Sequence, residues 1–381
     1  MVESTVALVR CDTYDRQQVD EAVETGVGLL GGISRFVRPG ERIVIKPNVL
    51  FGVNPQRCVS THPSVFRAVG ILLKKAGAIL CCGDSPGFGR CEGNMKRGGL
   101  KAVADELGIE LADFDKGRAV SHKEALLNKR FVLANGVLES DGLISLPKLK
   151  THGLTRFTGA IKNQFGCVPG VLKSQFHVKM ADPYEFATML VDLTTLIRPR
   201  LYIMDGIMAM EGNGPRSGEP RKLGVLLFST DPVALDAIAC KIIDLDPAFV
   251  PTSEPGERAG LGTYRHENIE IMGEAVESFI ARDFDVVRKP PVAIRHRPMR
   301  TFLKNRLCPR PIIDEAICTS CGTCVEVCPV KPKAVGWHDG DESRPPTFQY
   351  DRCIRCYCCQ ELCPEGAVTI RETLLGKLFF R

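Results

Sequence analysis

Short β-prone runs and amphipathic runs alternate along the first 290 residues. The β-prone runs cover residues 5–10, 41–49, 78–87, 109–115, 201–207 and 222–229. Runs with the apolar spacing of a helix cover residues 16–31, 62–77, 100–108 and 231–243. Strands that alternate with helices favour a mostly parallel sheet with helices on both faces. We therefore predict an α/β domain over residues 1–290.

The pattern changes after residue 290. Residues 291–309 are rich in proline, arginine and lysine, which predicts a basic linker. Four β-prone runs then flank two cysteine-rich turns, at 310–314, 334–338, 347–351 and 367–371. This order predicts a small α+β domain over residues 310–371, built of strand, turn, helix and strand twice over. Residues 372–381 form a C-terminal tail.

Eight cysteines repeat the spacing C-x2-C-x2-C-x3-C-P. The first set is Cys318, Cys321, Cys324 and Cys328, and the second set is Cys353, Cys356, Cys359 and Cys363. This segment resembles bacterial two-cluster ferredoxins, in which the fourth cysteine of each set ligates the other cluster. We therefore expect two [4Fe–4S] clusters with crossed ligands. The first takes Cys318, Cys321, Cys324 and Cys363, and the second takes Cys353, Cys356, Cys359 and Cys328.

Zinc is the alternative metal for these thiols. Zinc sites pair two C-x2-C units across a longer gap, and they need neither a third cysteine at the same step nor a repeat of the whole set. The spacing therefore favours iron–sulfur clusters. Cys308 and Cys358 lie outside the repeat, and we predict that neither is a ligand.

Composition limits the remaining possibilities. The net charge of +5 over 381 residues, without a basic run, gives no reason to expect nucleic acid as a partner. No window approaches the ~20 apolar residues of a membrane-spanning helix, and the N-terminus does not resemble a secretory signal. Because the thiols have metal-ligand spacing, we expect a reducing cytoplasm and a cell with little oxygen. The tail "TLLGKLFFR" is apolar and basic; packing on the small domain is favoured over contact with a membrane surface.

Polar residues collect at the predicted strand ends of the large domain. Ligands bind beyond the carboxyl ends of strands in such folds. Five basic or amide side chains occur within sixteen residues, namely Lys148, Lys150, His152, Lys162 and Asn163. This density predicts a pocket for a carboxylate or phosphate. No G-x-G-x-x-G follows the first strand and no Walker loop occurs, so nicotinamide or ATP binding is not supported.

Several of these residues also have a structural interpretation. Asp84 and Asp205 fit turns or helix caps, and Asp231 before Pro232 fits an N-cap. His152 and His177 suit either general acid–base catalysis or a structural role.

Seven motifs in order carry a family resemblance: "IKPN", "GDSPG", "LPKLKTH", "IKNQFG", "MDGI", "EGNGP" and "DPVALD". They resemble the family called domain of unknown function 362, whose members often carry a C-terminal two-cluster ferredoxin module. The resemblance covers about residues 4–245. It implies a shared pocket without naming a reaction. The candidate catalytic residues are His152, Lys162 and Asp84. The candidate substrate-binding residues are Lys46, Asn48, Lys148, Lys150, Asn163, Asp205 and Glu211.

Three functions fit the sequence. In the first, an iron–sulfur oxidoreductase passes electrons from a ferredoxin-like or reductase partner to an anionic small molecule in the large domain. In the second, the protein is a dedicated electron carrier whose large domain docks a partner enzyme. In the third, it is a non-redox enzyme or ligand sensor with structural or redox-sensing clusters. The arginines of the linker, Arg295, Arg297 and Arg300, would guide an acidic donor towards the clusters.

Overall fold

The computed structural model describes residues 4–170, 172–293 and 300–379. Twelve strands precede residue 290 in this part of the chain. They are β1 Ser4–Arg10, β2 Arg42–Pro47, β3 Ile79–Cys82, β4 Glu110–Leu111, β5 Gly117–Ser121, β6 Arg130–Ala134, β7 Gly142–Leu146, β8 Lys148–His152, β9 Arg156–Thr158, β10 Leu201–Glu211, β11 Glu219–Ser229 and β12 Ile269–Gly273.

Ten of these strands form one mixed sheet. Its main order is β12-β1-β11-β10-β7-β2-β3-β4, with β8 beside β10 and β9 beside β8. The pairs β1–β12, β10–β7, β10–β8, β7–β2, β2–β3 and β3–β4 are parallel. Strands β11 and β9 run antiparallel to their neighbours. Strands β5 and β6 form a separate antiparallel pair.

Ten α-helices accompany the strands in the same described region. They are α1 Arg16–Leu29, α2 Pro63–Lys75, α3 Cys91–Arg97, α4 Leu100–Glu106, α5 Asn135–Leu138, α6 Ala160–Asn163, α7 Leu172–Lys179, α8 Pro183–Ile197, α9 Pro232–Ile242 and α10 Ser253–Arg258. Asp231 is the N-cap of α9, where its carboxylate accepts from the amides of Val233 and Ala234. The N-cap prediction for this residue is therefore confirmed.

Helices cover both faces of the sheet, as predicted. Ala7 and Ile203 belong to a core that also contains apolar residues of α1, α2 and α4. Their neighbours along the strands, Leu8 and Tyr202, belong to a second core with α9. Since successive strand residues point to opposite faces, the two cores lie on the two sides of the sheet.

The C-terminal region is a small α+β domain. Its elements are α11 Arg300–Leu307, β13 Arg310–Ile313, α12 Thr323–Glu326, β14 Val335–Gly336, β15 Thr347–Phe348, α13 Cys358–Leu362, β16 Val368–Arg371 and α14 Leu374–Phe379. Strand β13 pairs with β16, and β14 pairs with β15, both antiparallel. Helix α11 occupies part of the predicted linker. Arg295 and Arg297 lie outside the described residues.

Helix α13 joins the two regions. Gln360 on this helix donates from Nε2 to the carbonyl oxygens of Asn213 and Gly214, at 3.2 and 3.0 Å, and to the Asn213 side chain at 2.7 Å. Arg216 donates to the carbonyl oxygen of Leu362 at 2.5 Å. The loop between β10 and β11 therefore holds the helix that carries Cys359.

Among the described residues, no helix has the length and apolar character needed to cross a membrane.

Candidate functional site

The carboxyl ends of β2, β3 and β7 bring together the first group of predicted residues. Lys46 Nζ lies 2.8 Å from Asp84 Oδ1, and both side chains are almost fully buried. Lys46 also donates to Asn163 Oδ1 at 3.1 Å, while Asn48 Nδ2 lies 3.3 Å from the same oxygen. Asn163 donates in turn to Ser145 Oγ at 3.0 Å. The Lys46 charge is therefore balanced within the protein.

Lys148 and Asp205 form a second buried ion pair, at 2.8 Å between Nζ and Oδ2. The phenol of Tyr14 donates to Asp205 Oδ1 at 2.8 Å and accepts from Lys148 Nζ at 2.8 Å. The amide of His62 donates to Asp205 Oδ2 at 2.9 Å. Burial and the Asp205 charge together raise the pKa of Tyr14 well above its usual range. This group is also neutral as a whole.

Three further lysines lie near one another without such a balance. Lys150 donates to the carbonyl oxygen of Val59, and Lys173 donates to Ser85 Oγ at 2.8 Å. Burial lowers the pKa of Lys150 to about 7 and that of Lys173 to about 8, and the charge of Lys162 adds to both shifts. The nearby acids are Asp84, already paired, and Glu361 of α13.

Two histidines complete this group. His152 Nδ1 accepts from the amides of Leu154 and Thr155, at 3.1 and 3.3 Å, so the proton of the neutral ring is on Nε2. Burial lowers the pKa of His152 well below its usual range and that of His177 to about 3, and Lys162 contributes to both shifts. His152 Nε2 and His177 Nδ1 are buried and have no hydrogen-bond partner among the described residues. His152 Nε2 lies 3.8 Å from Glu361 Oε2.

We call Lys150, Lys162, Lys173, His152 and His177 the cation pocket. Glu361 lies near Lys150 and Lys173 and has no lysine or arginine partner among the described residues. Burial lowers the pKa of both lysines to about 7 and about 8, so each loses part of its charge near neutral pH. An anion would restore that charge and supply partners for the two histidine nitrogens. The arrangement is therefore chemically suited to a small carboxylate or phosphate.

A cavity of about 310 Å³ lies between the large domain and the C-terminal domain. His152, Arg156 and Leu154 line it on one side, and Arg355, Tyr357 and Gln360 line it on the other. The volume is at the lower end of the range for small-molecule sites. Because His152 belongs to both, the cavity adjoins the cation pocket.

The thiols of the first crossed set converge in the C-terminal domain. Cys318, Cys321, Cys324 and Cys363 line one small cavity. Burial raises the pKa of Cys324 to about 11, and the other three thiols contribute to this rise. Their number and soft sulfur donors fit a [4Fe–4S] cluster.

The second crossed set also lies together. Burial raises the pKa of Cys359 well above its usual range, and Cys356, Cys353 and Cys328 are near enough to raise it further. Among the described residues, no three metal-binding side chains are close enough for a single ion. A cube of four irons separates its cysteines more widely than one zinc ion does.

Nine of the ten predicted residues of the large domain lie in the two ion-paired groups or the cation pocket. Glu211 does not: its carboxylate accepts from the amide of Asp285 at 3.1 Å and lies 3.8 Å from Arg221. Tyr14, Lys173, Ser145 and the amide of His62 in these groups were not predicted, and neither was Glu361 beside the cation pocket. The position of Tyr14 shortly after the end of β1 is the sequence feature that could have identified it as a site residue.

Comparison with known proteins places these residues in a family. The family model described as Domain of unknown function (DUF362) matches residues 43–241, just over half of the chain. The chain belongs to the DUF362 family. A 4Fe-4S dicluster domain matches residues 310–364, so this DUF362 protein is an iron–sulfur protein.

Two curated relatives match different lengths of the DUF362 protein. A thylakoid-associated protein of Synechocystis is 40% identical over 262 residues, covering 68% of this chain and 81% of the relative. One component of the H2:CoB-CoM heterodisulfide, ferredoxin reductase of Methanothermobacter thermautotrophicus is 38% identical over 68 residues, covering 15% of this chain and 10% of that component.

Solved structures match the DUF362 protein at low identity. The lactate racemase apoprotein from Thermoanaerobacterium thermosaccharolyticum has 11% sequence identity and a TM-score of 0.41, over 63% of this chain and 56% of that chain. The DUF362 protein thus spans a little over half the length of that structure.

Proposed function

We propose that this protein is an oxidoreductase that moves electrons through two [4Fe–4S] clusters to an anionic small molecule in the cation pocket. The observation that supports this proposal is the buried excess of positive charge beside α13. This helix contributes Cys359 to the thiols and Glu361 to the wall of the pocket. A reducing, oxygen-poor cytoplasm and a ferredoxin-like or reductase donor belong to the same proposal.

The proposed cluster ligands are the two crossed sets of cysteines. When bound, the clusters supply electrons one at a time. The first set includes the exposed Cys321, which favours it as the entry point for electrons from a donor. The second set is linked to the pocket by α13, which carries both Cys359 and Glu361.

The side chains of the pocket have distinct proposed roles. Lys162 holds the anion as a point charge, because neither a hydrogen bond nor an ion pair to its ammonium group is found within the described residues. Its ammonium group lies 5.2 Å from the centre of the Phe165 ring. His152 holds a proton on Nε2 and would donate a hydrogen bond from this nitrogen to the bound anion. Lys46 and Lys148 position the surrounding backbone through their own acids.

Anion binding to the holoprotein tests the pocket. Phosphate and malonate are titrated by calorimetry into the wild type, into Lys162→Gln and into Lys123→Gln, whose lysine is exposed. Loss of the pocket cation should weaken binding by about tenfold or more, since a hydrogen bond to a charged group contributes about 1.5–3 kcal/mol. Equal affinities in all three proteins would contradict the assignment.

An anaerobic reductive titration tests the clusters, and read together with the anion titration it separates this function from the alternative of a dedicated electron carrier. About eight irons and two electrons per chain are expected for two one-electron clusters. Cys321→Ser should lower the cluster content, whereas Cys308→Ser should leave it unchanged. A protein that takes up two electrons and binds no anion would instead be a carrier whose large domain docks a partner.

A further inference from the structure

Helices α11 and α14 pack against each other at the C-terminal end of the chain. Thr373 donates to the carbonyl oxygen of Arg306 at 2.5 Å, which fixes the start of α14 on α11. A Cβ at Gly376 would meet the carbonyl oxygen of Leu307, so glycine permits close approach of the two helices. One side of α14 is therefore fixed, and its other side faces solvent.

The solvent-facing side is strongly apolar. Leu374 is 84% exposed, Leu378 is 68% exposed and Phe302 of α11 is 53% exposed. Leu374 and Leu378 lie one turn apart on α14, and α11, which carries Phe302, packs against that helix. Exposed large apolar side chains on neighbouring elements mark an interaction surface in a globular domain. We call Phe302, Leu374 and Leu378 the apolar patch.

The charged side chains that the two helices themselves carry have one sign. Among the side chains that the structure describes, the two helices carry Lys304, Arg306 and Lys377 and no Asp or Glu. The Arg306 guanidinium lies 3.9 Å from the centre of the Phe302 ring, so cation and apolar surface are adjacent. Two acids lie close to these helices: Glu372 forms an ion pair with Lys289, and the carboxylate of Asp351 accepts from Asn305 at 2.6 Å.

We propose that the apolar patch binds the surface of a bilayer containing anionic phospholipids. Leucine and phenylalanine side chains would enter the boundary between headgroups and acyl chains, while the basic side chains contact the phosphates. A second copy of this chain is a poorer occupant, because a twofold interface would bring the basic residues of both copies together. The protein would lie on the membrane without crossing it.

The two helices that carry the apolar patch also border the interdomain cavity, which relates membrane binding to the proposed site. Lys304 and Leu307 of α11 and Gly376 of α14 line that cavity. A bilayer at the patch would therefore lie beside the cavity and the second set of thiols. This inference does not depend on the anion pocket, and its test uses no turnover.

Sedimentation with vesicles tests the proposal on the full-length holoprotein. The wild type should sediment with phosphatidylcholine vesicles that contain about 30% phosphatidylglycerol, and less with pure phosphatidylcholine or at high salt. The double variant Leu374→Ser/Leu378→Ser should bind at least about tenfold more weakly. Leu126→Ser/Leu127→Ser is the matched control, because these leucines are 40% and 45% exposed in a different part of the molecule.

Iron content and circular dichroism should be the same in both double variants, which separates loss of binding from loss of folding. Failure of the wild type to sediment with anionic vesicles would overturn the proposal. So would equal sedimentation of the two double variants. Light scattering provides a third check: a wild-type dimer that the Leu374→Ser/Leu378→Ser change converts to monomers, without vesicle binding, would assign the patch to a second copy.

Discussion

The buried ion pair between Lys148 and Asp205 allows a direct test of how much stability the protein loses when one partner of such a pair is removed. In Asp205→Asn, Lys148 keeps its charge in a site where its side chain is 1% exposed, and it loses the carboxylate at 2.8 Å. The phenol of Tyr14 and the amide of His62 also lose a charged acceptor. Removing one partner of a buried pair costs about 3–5 kcal/mol. The expected fall in melting temperature is roughly 6–10 °C for a domain of this size.

Urea unfolding of the anaerobic holoprotein, followed by far-ultraviolet circular dichroism, measures this cost. The matched control is Glu24→Gln, which breaks a pair of similar length, 2.7 Å, between the exposed side chains of Lys75 and Glu24. Because water screens an exposed pair, the control should leave the unfolding midpoint nearly unchanged. The double variant Lys148→Met/Asp205→Asn carries no buried charge at this site and should recover about half of the loss. A midpoint for Asp205→Asn no lower than that of Glu24→Gln would refute the reasoning.

Two further predictions concern the core of the large domain. A methyl group at Gly166 would overlap the carboxylate of Asp84 and crowd Lys46, so Gly166→Ala should lower the free energy of unfolding by about 2–4 kcal/mol. Gly28→Ala, at an open helical position, should raise it by about 0.5–1 kcal/mol. Burial raises the pKa of Asp236 to about 7. The folded state therefore keeps a proton that the unfolded state has lost, and stability should fall as pH rises from about 4 to 7, by up to about 1.4 kcal/mol per unit. Asp236→Asn should remove this fall, and an unchanged pH profile in urea titrations would contradict it.

The sequence predicts which ends of the sheet carry polar residues, and it does not predict how those residues pair. Strand ends are readable because apolar runs stop there, as at Lys46 and Asp84. Pairing depends on strand order, which brings β2 beside both β3 and β7. Lys46 and Lys148 therefore look like free cations in the sequence, although each has a buried acid within 2.8 Å.

The antiparallel strand β11 shows another limit. The apolar pattern predicts strands over residues 201–207 and 222–229 in a mostly parallel sheet, and both segments belong to longer strands of eleven residues. The connection between them is short, and a short connection favours an antiparallel pair. The loop 211–215, "EGNGP", is predicted to contribute Glu211 to the substrate site. Its residues Asn213 and Gly214 instead hold Gln360 of α13.

The cysteine repeat is the most informative part of the sequence, because ligand spacing within one short turn is local. The cation pocket cannot be predicted from local spacing in the same way. Glu361 follows Lys150 and Lys173 by about 190 residues or more along the chain. Its carboxylate acts on the pKa of both lysines only after the C-terminal domain has docked.

The docking of α13 has a consequence for the strength of every charge in the pocket. A chain that ends at residue 290 would keep Lys150, Lys162 and Lys173 and would replace Glu361 and its helix with water. Two unit charges 4 Å apart interact by about 4 kcal/mol at the effective dielectric constant near a protein surface, and by about 1 kcal/mol in bulk water. Solvent admitted by that truncation would thus reduce the field of the lysines about fourfold without removing one of them. The C-terminal domain would therefore exclude water from the pocket and strengthen its electrostatic field, in addition to being its proposed source of electrons.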